Sequence, residues 1–282
     1  MNIEQLQTDS YQNYIENDAQ NFVSNDFLLL RDAIKVNKVG GMGTGRPYRI
    51  SEGRMLLITQ GRAVYQMNMI DYELEPYKAF VVPSGSIVVV KEVDEDFNLQ
   101  SISMKDMGEN SFFPEVLQVK VNNEDWLRLS EYVNLMWKVI HRRSFSVSCV
   151  RHLQAAMLDD LKHIFVSSQQ DTDKRPTHTQ HVFSKFVRLV NEYGSREHHI
   201  HFYADHLFIT PNRLSNLVME QSGETVLQWV NRAIILEAKV LLKYSELKNY
   251  EIAERLNFPN ASFFNKFFKR QTGLTPLEYK NG

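Results

Sequence analysis

The feature that most constrains this chain is a pattern stated twice between Phe202 and Tyr279. The first copy runs Phe202-Tyr203-Ala204-Asp205-His206-Leu207-Phe208, then Ile209-Thr210-Pro211, then Asn212 to Gly223. The second runs Ile252-Ala253-Glu254-Arg255-Leu256-Asn257-Phe258-Pro259-Asn260, then Ala261 to Gly273. Each reads as a short helix with Ala in its middle, a tight turn, and a second helix ended by Gly. Ala is what a steep helix crossing needs at its contact point, because a larger side chain would hold the two helices apart. Two such hairpins in series predict an all-α domain over residues 180–282.

The second helix of each copy has the composition of a nucleic-acid reader. Thr210 is placed to cap free backbone N–H groups, and Pro211 follows at the first helical position, where its missing N–H costs nothing. Leu214, Leu217 and Val218 form the buried stripe, which turns Asn212, Arg213, Ser215, Asn216 and Met219 outward. In the second copy Asn260 is the cap and Phe264, Phe267 and Phe268 the stripe, with Ala261, Ser262, Asn265, Lys266 and Lys269 facing out. Asn pairs with adenine, Lys with guanine, Ser with either, and Ala meets a thymine methyl. Base contacts are therefore expected from Asn212, Ser215, Asn216, Ala261, Ser262, Asn265 and Lys266. Arg213, Lys269 and Arg270 are expected on phosphates, where they add salt-dependent affinity. Between the copies, Thr225 to Tyr244 has helical periodicity over about 20 residues, a rod of about 30 Å. That is close to one duplex turn of about 34 Å, so one monomer would read two successive major-groove segments.

These motifs resemble the DNA-binding domain of AraC/XylS-type bacterial transcription regulators. The most specific part is Ile252-Ala253-Glu254, Asn257-Phe258, Ser262-Phe263-Phe264, Phe267-Phe268-Lys269 and Thr272-Gly273-Leu274-Thr275-Pro276-Leu277-Glu278-Tyr279. The resemblance covers the C-terminal part only, and the chain departs from the family at two places. Asn257 stands where Gly is usual before Phe258, and Asn is one of the few residues that tolerates the left-handed conformation. Ile234 stands where the linking helix usually carries Arg, with Arg232 nearby as a substitute. The resemblance implies double-stranded promoter DNA as partner, a homodimer, and activation by touching RNA polymerase.

At 282 residues the chain has room for two domains. Its formal net charge of −2 is unevenly spread: from Gln180 onward there are 13 Lys and Arg against 10 Asp and Glu. A mildly basic C-terminal part on an acidic remainder suits nucleic-acid binding by the former alone. The single cysteine, Cys149, excludes an intramolecular disulfide and is expected as a small buried hydrophobe in a reducing compartment. The polar N-terminus lacks the pattern of a signal peptide, and no apolar run reaches membrane-spanning length. These points predict a cytoplasmic protein without a membrane partner.

The first 25 residues are polar with scattered aromatics and fit either an amphipathic lead-in helix or a disordered segment. From Asp26 to about Val121 the pattern changes to short β-type runs, such as Arg54–Thr59, Ala63–Met67, Ala79–Val82, Ser86–Val90 and Leu99–Met104. Turn residues such as Gln60-Gly61 and Pro83-Ser84-Gly85 separate them, which indicates an antiparallel sandwich or barrel. With the C-terminal motifs, the order of features resembles the cupin-type barrel that many family members carry. The overall expectation is an α+β chain: a cupin-like antiparallel β-barrel (1–121), helices with a dimerisation role (122–166), a linker (167–179), and the all-α domain (180–282). The glycine run Gly40-Gly41-Met42-Gly43-Thr44-Gly45 is followed by Pro47 and strand-like residues, not by a helix. It therefore reads as a loop at the barrel mouth and not as a phosphate cradle.

Barrel enzymes of this kind hold a metal with two or three histidines and a carboxylate, yet the first histidine here is His141. No metal, cofactor or catalytic residue is implied, and an enzyme built on the barrel is a disfavoured alternative. An effector pocket would draw on Tyr48, Arg49, Tyr65 and Tyr72; a barrel filled by its own side chains would serve as a dimerising scaffold. Trp126, Leu129, Val133, Met136, Trp137 and Ile140, then Val150, Leu153, Met157, Leu161 and Ile164, recur at helical spacing. Their apolar stripes fit packing on the barrel or against a second copy. His141, His152 and His163 read as solvated or capping residues, and His198-His199-Ile200-His201 as a solvated turn. The resulting expectation is a sequence-specific transcription regulator, an activator, whose barrel senses a small effector or dimerises. A ligand-independent regulator with a purely dimerising barrel is the alternative.

Overall fold

The computed structural model describes residues 20–24, 27–32, 44–50, 52–104, 116–171 and 178–281. The chain divides into two compact units at Arg175/Pro176. The first 19 residues and most of the glycine run lie outside the described residues, as do 172–177 of the expected linker.

The N-terminal unit carries β1 (Asn21–Val23), β2 (Leu28–Leu30), β3 (Pro47–Arg49), β4 (Gly53–Gln60), β5 (Ala63–Met67), β6 (Ile70–Leu74), β7 (Lys78–Val82), β8 (Ile87–Val93), β9 (Asn98–Met104) and β10 (Leu117–Lys120). Two helices follow, α1 (Asn123–Ile140) and α2 (Val147–Asp171). The strands form two antiparallel sheets, ordered β1-β2-β9-β4-β7-β10 and β3-β8-β5-β6. Among the described residues no ladder joins the two sheets.

Alternation along the strands shows how the layers stack. On β4, Met55 and Leu57 face one core while Leu56 and Ile58 face another; on β7, Ala79 and Val81 part from Phe80 and Val82 in the same way. The first core is shared with Leu129, Val133, Met136, Met157 and Leu161 of α1 and α2, the second with Tyr65, Met67, Val88 and Val90 of the other sheet. The larger sheet is thus covered on both faces, which is why Met55-Leu56-Leu57-Ile58 is apolar without alternation. On β5, by contrast, Ala63, Tyr65 and Met67 are buried and Val64 and Gln66 are not, as expected of a sheet with one wet face.

The helical stripes in 122–168 therefore pack on the sheet. Asn122 caps α1 by accepting from the Asp125 N–H at 2.8 Å. Arg128 ties α1 to α2, donating to Asp160 through Nε at 2.7 Å and Nη2 at 3.0 Å, and to Asp125 at 2.6 Å. These bonds raise its already high pKa further. Cys149 is exposed on the first turn of α2, not buried as expected, because the core stripe of that helix begins one residue later, at Val150.

The C-terminal unit is all α: α3 (His178–Tyr193), α4 (Ile200–His206), α5 (Pro211–Ser222), α6 (Val226–Tyr244), α7 (Asn249–Arg255), α8 (Ala261–Thr272) and α9 (Pro276–Asn281). The long α6 is the axis and packs against α3, α5, α7, α8 and α9. It is opened by a capping box in which Thr225 Oγ1 accepts from the Gln228 N–H at 3.2 Å and Gln228 Oε1 from the Thr225 N–H at 2.7 Å. Gly194, just after α3, allows this packing: a Cβ there would lie 2.9 Å from Ala233 Cβ on α6 and 2.3 Å from the Val190 carbonyl oxygen.

Candidate nucleic-acid interface

The two hairpins are α4–α5 and α7–α8. Their crossing residues, Ala204 and Ala253, are 0% and 1% exposed. Each turn is closed by the same backbone bonds. Ile209 N–H donates to the Ala204 carbonyl at 3.0 Å, and Phe258 N–H to the Ala253 carbonyl at 2.9 Å. Both turns place a non-glycine residue in the left-handed region, Phe208 and Asn257, each at φ 56°. The expectation for Asn257 matches the geometry; Phe208 takes the same role without any residue preference to announce it.

Each second helix is delimited as its sequence predicts. Thr210 accepts from the Arg213 N–H at 3.3 Å and Asn260 from the Phe263 N–H at 3.1 Å. Gly223 and Gly273 end the helices at φ +69° and +81°, a conformation in which a Cβ would be strained. Leu214 and Val218 on α5, and Phe264 and Phe268 on α8, are wholly buried, whereas Phe267 is half-buried.

That phase exposes Asn212, Arg213, Asn216, Met219 and Glu220 on α5. On α8 it exposes Ser262, Phe263, Lys266, Lys269 and Arg270. Seven of the ten candidate DNA-contacting residues thus share one outward face on their helix. Ser215, Ala261 and Asn265 are half-buried instead. Ser215 and Asn265 are the fifth residues of their helices, at the margin between stripe and outward face. Asn265 is moreover engaged from behind: its Oδ1 accepts from Asn249 Nδ2 of α7 at 2.6 Å. The helix periodicity of 252–264 carries no sign of this partner.

The two faces differ in charge. On α5 the single cation Arg213 is offset by Glu220, whereas α8 presents Lys266, Lys269 and Arg270 with no acidic residue among the exposed set. The cations of α6 point elsewhere. Lys239 and Lys243 lie over the Tyr279 ring at 5.5 and 5.4 Å, and burial lowers the pKa of Lys239. Arg232, considered above as a substitute for the family's arginine, is ion-paired with Glu224 and lies 5.1 Å over the Trp229 ring. Ile234 itself is 2% exposed.

His198 is not a solvated residue. It is half-buried with its ring 5.5 Å from Phe258, and burial pushes its pKa below the usual imidazole range against the opposing bond to the Ser195 carbonyl. Asn257 Nδ2 donates to the Arg196 carbonyl at 2.9 Å, so the segment before α4 is joined to the turn of the second hairpin. Tyr203 anchors the same segment, its hydroxyl donating to the Glu197 carbonyl at 2.5 Å, with its pKa raised by burial.

In the N-terminal unit, the ladders pair Tyr48 with Val88, and Tyr65 with both Tyr72 and Val90. Directly paired residues share a face, so the three tyrosines lie on the side of the buried Val88 and Val90. Arg49, one residue along, falls on the other face, where its Nη1 donates to the Gly85 carbonyl at 3.0 Å. Tyr65 is 5% exposed against Phe97, and Tyr72 meets Phe80 edge-on. His141 closes α1, Nδ1 lying 2.9 Å from the Trp137 carbonyl oxygen, while His152 and His163 are exposed on α2. Among the described residues no cluster of three His, Cys, Asp or Glu is placed to hold a metal, and no helix is long and apolar enough to cross a membrane.

Residues 203–282 match the family model described as a helix-turn-helix domain. The arabinose operon regulatory protein of Escherichia coli K12 is 33% identical over 79 residues, 28% of this chain and 27% of that protein. The transcriptional activator RhaR of Cronobacter sakazakii is 34% identical over 78 residues, 28% of each chain. The chain thus spans little more than a quarter of the length of these relatives. Among solved structures, an apo variant of ToxT from Vibrio cholerae aligns over 93% of this chain and 98% of its own, with 15% identity and a TM-score of 0.41. The chain carries, in its C-terminal unit, the DNA-binding helix-turn-helix domain of the AraC/XylS-type transcription regulators.

Proposed function

We propose that the protein is a one-component transcription regulator, an activator, that reads two successive major-groove segments of promoter DNA with α5 and α8. The observation that carries this reading is the pairing of two hairpins of one backbone geometry on one long helix. The 19 residues of α6 make a rod of about 28 Å. The contacts are assigned to Asn212, Ser215, Asn216, Ala261, Ser262, Asn265 and Lys266 for bases, and to Arg213, Lys269 and Arg270 for phosphates. Asn265 reads through its amide N–H groups while Asn249 fixes its orientation. RNA polymerase is the partner that an activator requires, and the two-sheet unit is a cupin-like module that senses a small effector or dimerises the chain.

For the N-terminal unit a second reading has an observation in its favour. Sensing by Tyr48, Arg49, Tyr65 and Tyr72 would need a shared cavity, yet Tyr65 is buried with its ring 6.0 Å from that of Phe97, and Arg49 lies on the opposite face from the tyrosines. That favours a dimerising scaffold over an effector pocket built from these four residues.

The test is selection of the full chain on fragmented genomic DNA at near-physiological salt. A bipartite site about one duplex turn in span is expected. Ser215 and Asn216, or Asn265 and Lys266, changed together to Ala relax preference in one half of that site each, by about 1–3 kcal/mol per base contact. Double variants that select the parent's site with undiminished preference would overturn the assignment of α5 and α8.

A further inference from the structure

Phe263 is the exception on the outward face of α8. It is 59% exposed, whereas its neighbours Phe264 and Phe268 are wholly buried. The aromatic contacts of this hairpin link Phe258, Phe264, Phe267, Phe268 and Tyr279, and among the described residues they do not include Phe263. As the third residue of α8 it lies in the turn that enters the groove first in helix-turn-helix docking. Lys266 and Arg270 follow at i+3 and i+7, so the ring shares a helix face with two cations. Such a frame suits a polyanion better than an apolar protein surface.

A phenyl ring neither donates nor accepts a hydrogen bond of consequence. In the major groove the one apolar group offered by a base edge is the 5-methyl of thymine. We infer that Phe263 is a specificity-determining residue of the second hairpin and packs on a thymine methyl in the half-site read by α8. The corresponding third position of α5 is Arg213, so the two hairpins would demand different chemistry at equivalent places in their half-sites. The inference rests on the reading of α8 as a groove helix and adds a contact that neither helix periodicity nor charge assigns.

The experiment uses the full chain and its selected site. Each thymine of the second half-site is replaced in turn by deoxyuridine, which keeps every hydrogen-bonding group and removes only the methyl. At one position the parent is expected to bind about four-fold more weakly to deoxyuridine than to thymine, the scale of one buried carbon. F263A should bind both duplexes alike at that position, and F263L should keep part of the difference. Since Phe263 lies outside the core, F263A should unfold at the parent's temperature, and the deoxyuridine series needs no variant at all. No methyl effect at any position, or methyl effects that all survive in F263A, would overturn the inference while leaving selective binding intact. Absence of any selected site would instead remove the groove-helix reading, and the inference with it.

Discussion

The two hairpins of the C-terminal unit share a backbone and little else. Both cross at Ala, close their turns with equivalent carbonyl bonds, hold one residue at φ 56°, and end in left-handed Gly. Around this frame the side chains diverge. The stripe is Leu214, Leu217 and Val218 in one helix and phenylalanine in the other. The outward face is neutral on α5 and carries three cations on α8. The second turn is also one residue longer, with α5 starting seven residues after Ala204 and α8 eight after Ala253. Local hydrogen bonds and a small crossing residue therefore define the hairpin. The exposed faces are left free to differ, and the proposed assignment gives α5 base readout and α8 phosphate attraction combined with an apolar contact.

The sharpest break in this comparison comes from salt. Binding by phosphate neutralisation weakens with salt at a slope of about 0.9 per neutralised phosphate. Changing Lys269 and Arg270 together to Ala should flatten the slope by up to about 1.8, or roughly 1.1 decades of affinity between 50 and 200 mM salt. Asn212 and Asn216 changed to Ala should leave the slope as it is and relax sequence preference. Titrations at several salt concentrations measure both. Equal slope changes in the two variants would mean that the faces have not specialised.

Much of this domain is legible in the sequence because its determinants are local. Thr210 and Asn260 cap helices that begin one residue later, and the stripes recur at i, i+3 and i+4, so short windows reveal them. Contacts between distant segments leave no such trace. Asn249 reaches Asn265, and His198 meets Phe258, across stretches that no period connects. In the N-terminal unit the strands around Met55 and Val81 are evident from their apolar runs. By contrast β6 (Ile-Asp-Tyr-Glu-Leu) and β10 (Leu-Gln-Val-Lys) are short and half polar, and no apolar run marks either of them. Which face Arg49 takes depends on the register of β3 against β8, which only pairing determines.

A smaller effect separates the two turns. The left-handed conformation costs an ordinary L-residue about 1–2 kcal/mol, and Gly offsets part of that gain through its greater freedom when unfolded, about 0.5–1 kcal/mol. Phe208 is 95% exposed, so F208G should stabilise the unit by about 0.5–1 kcal/mol. Asn257 tolerates the conformation and its side chain bonds to the Arg196 carbonyl, so N257G should cost about 1 kcal/mol. Thermal unfolding reads both. A stabilised N257G, or a destabilised F208G, would show that the turns are held by contacts other than those described.

The smallest effect is a pH dependence at the contact between His198 and the turn of the second hairpin. Burial against Phe258 lowers the folded pKa of His198 below the unfolded value of about 6.5. Glu197 and the Ser195 carbonyl act in the opposite direction, while His199 adds to the lowering. A base whose folded pKa is depressed binds fewer protons folded than unfolded in the window between the two values. Its contribution is therefore intact above about pH 6.5 and is lost as the pH falls from there toward the folded value. The unfolding temperature of the parent should fall more between pH 7.5 and 5.5 than that of H198Q, which cannot titrate. Since other groups titrate equally in both proteins, the difference between the two curves isolates His198. Parallel curves would mean that the imidazole is as well solvated in the fold as out of it, and the contact joining the segment before α4 to the second turn would rest on Asn257 alone.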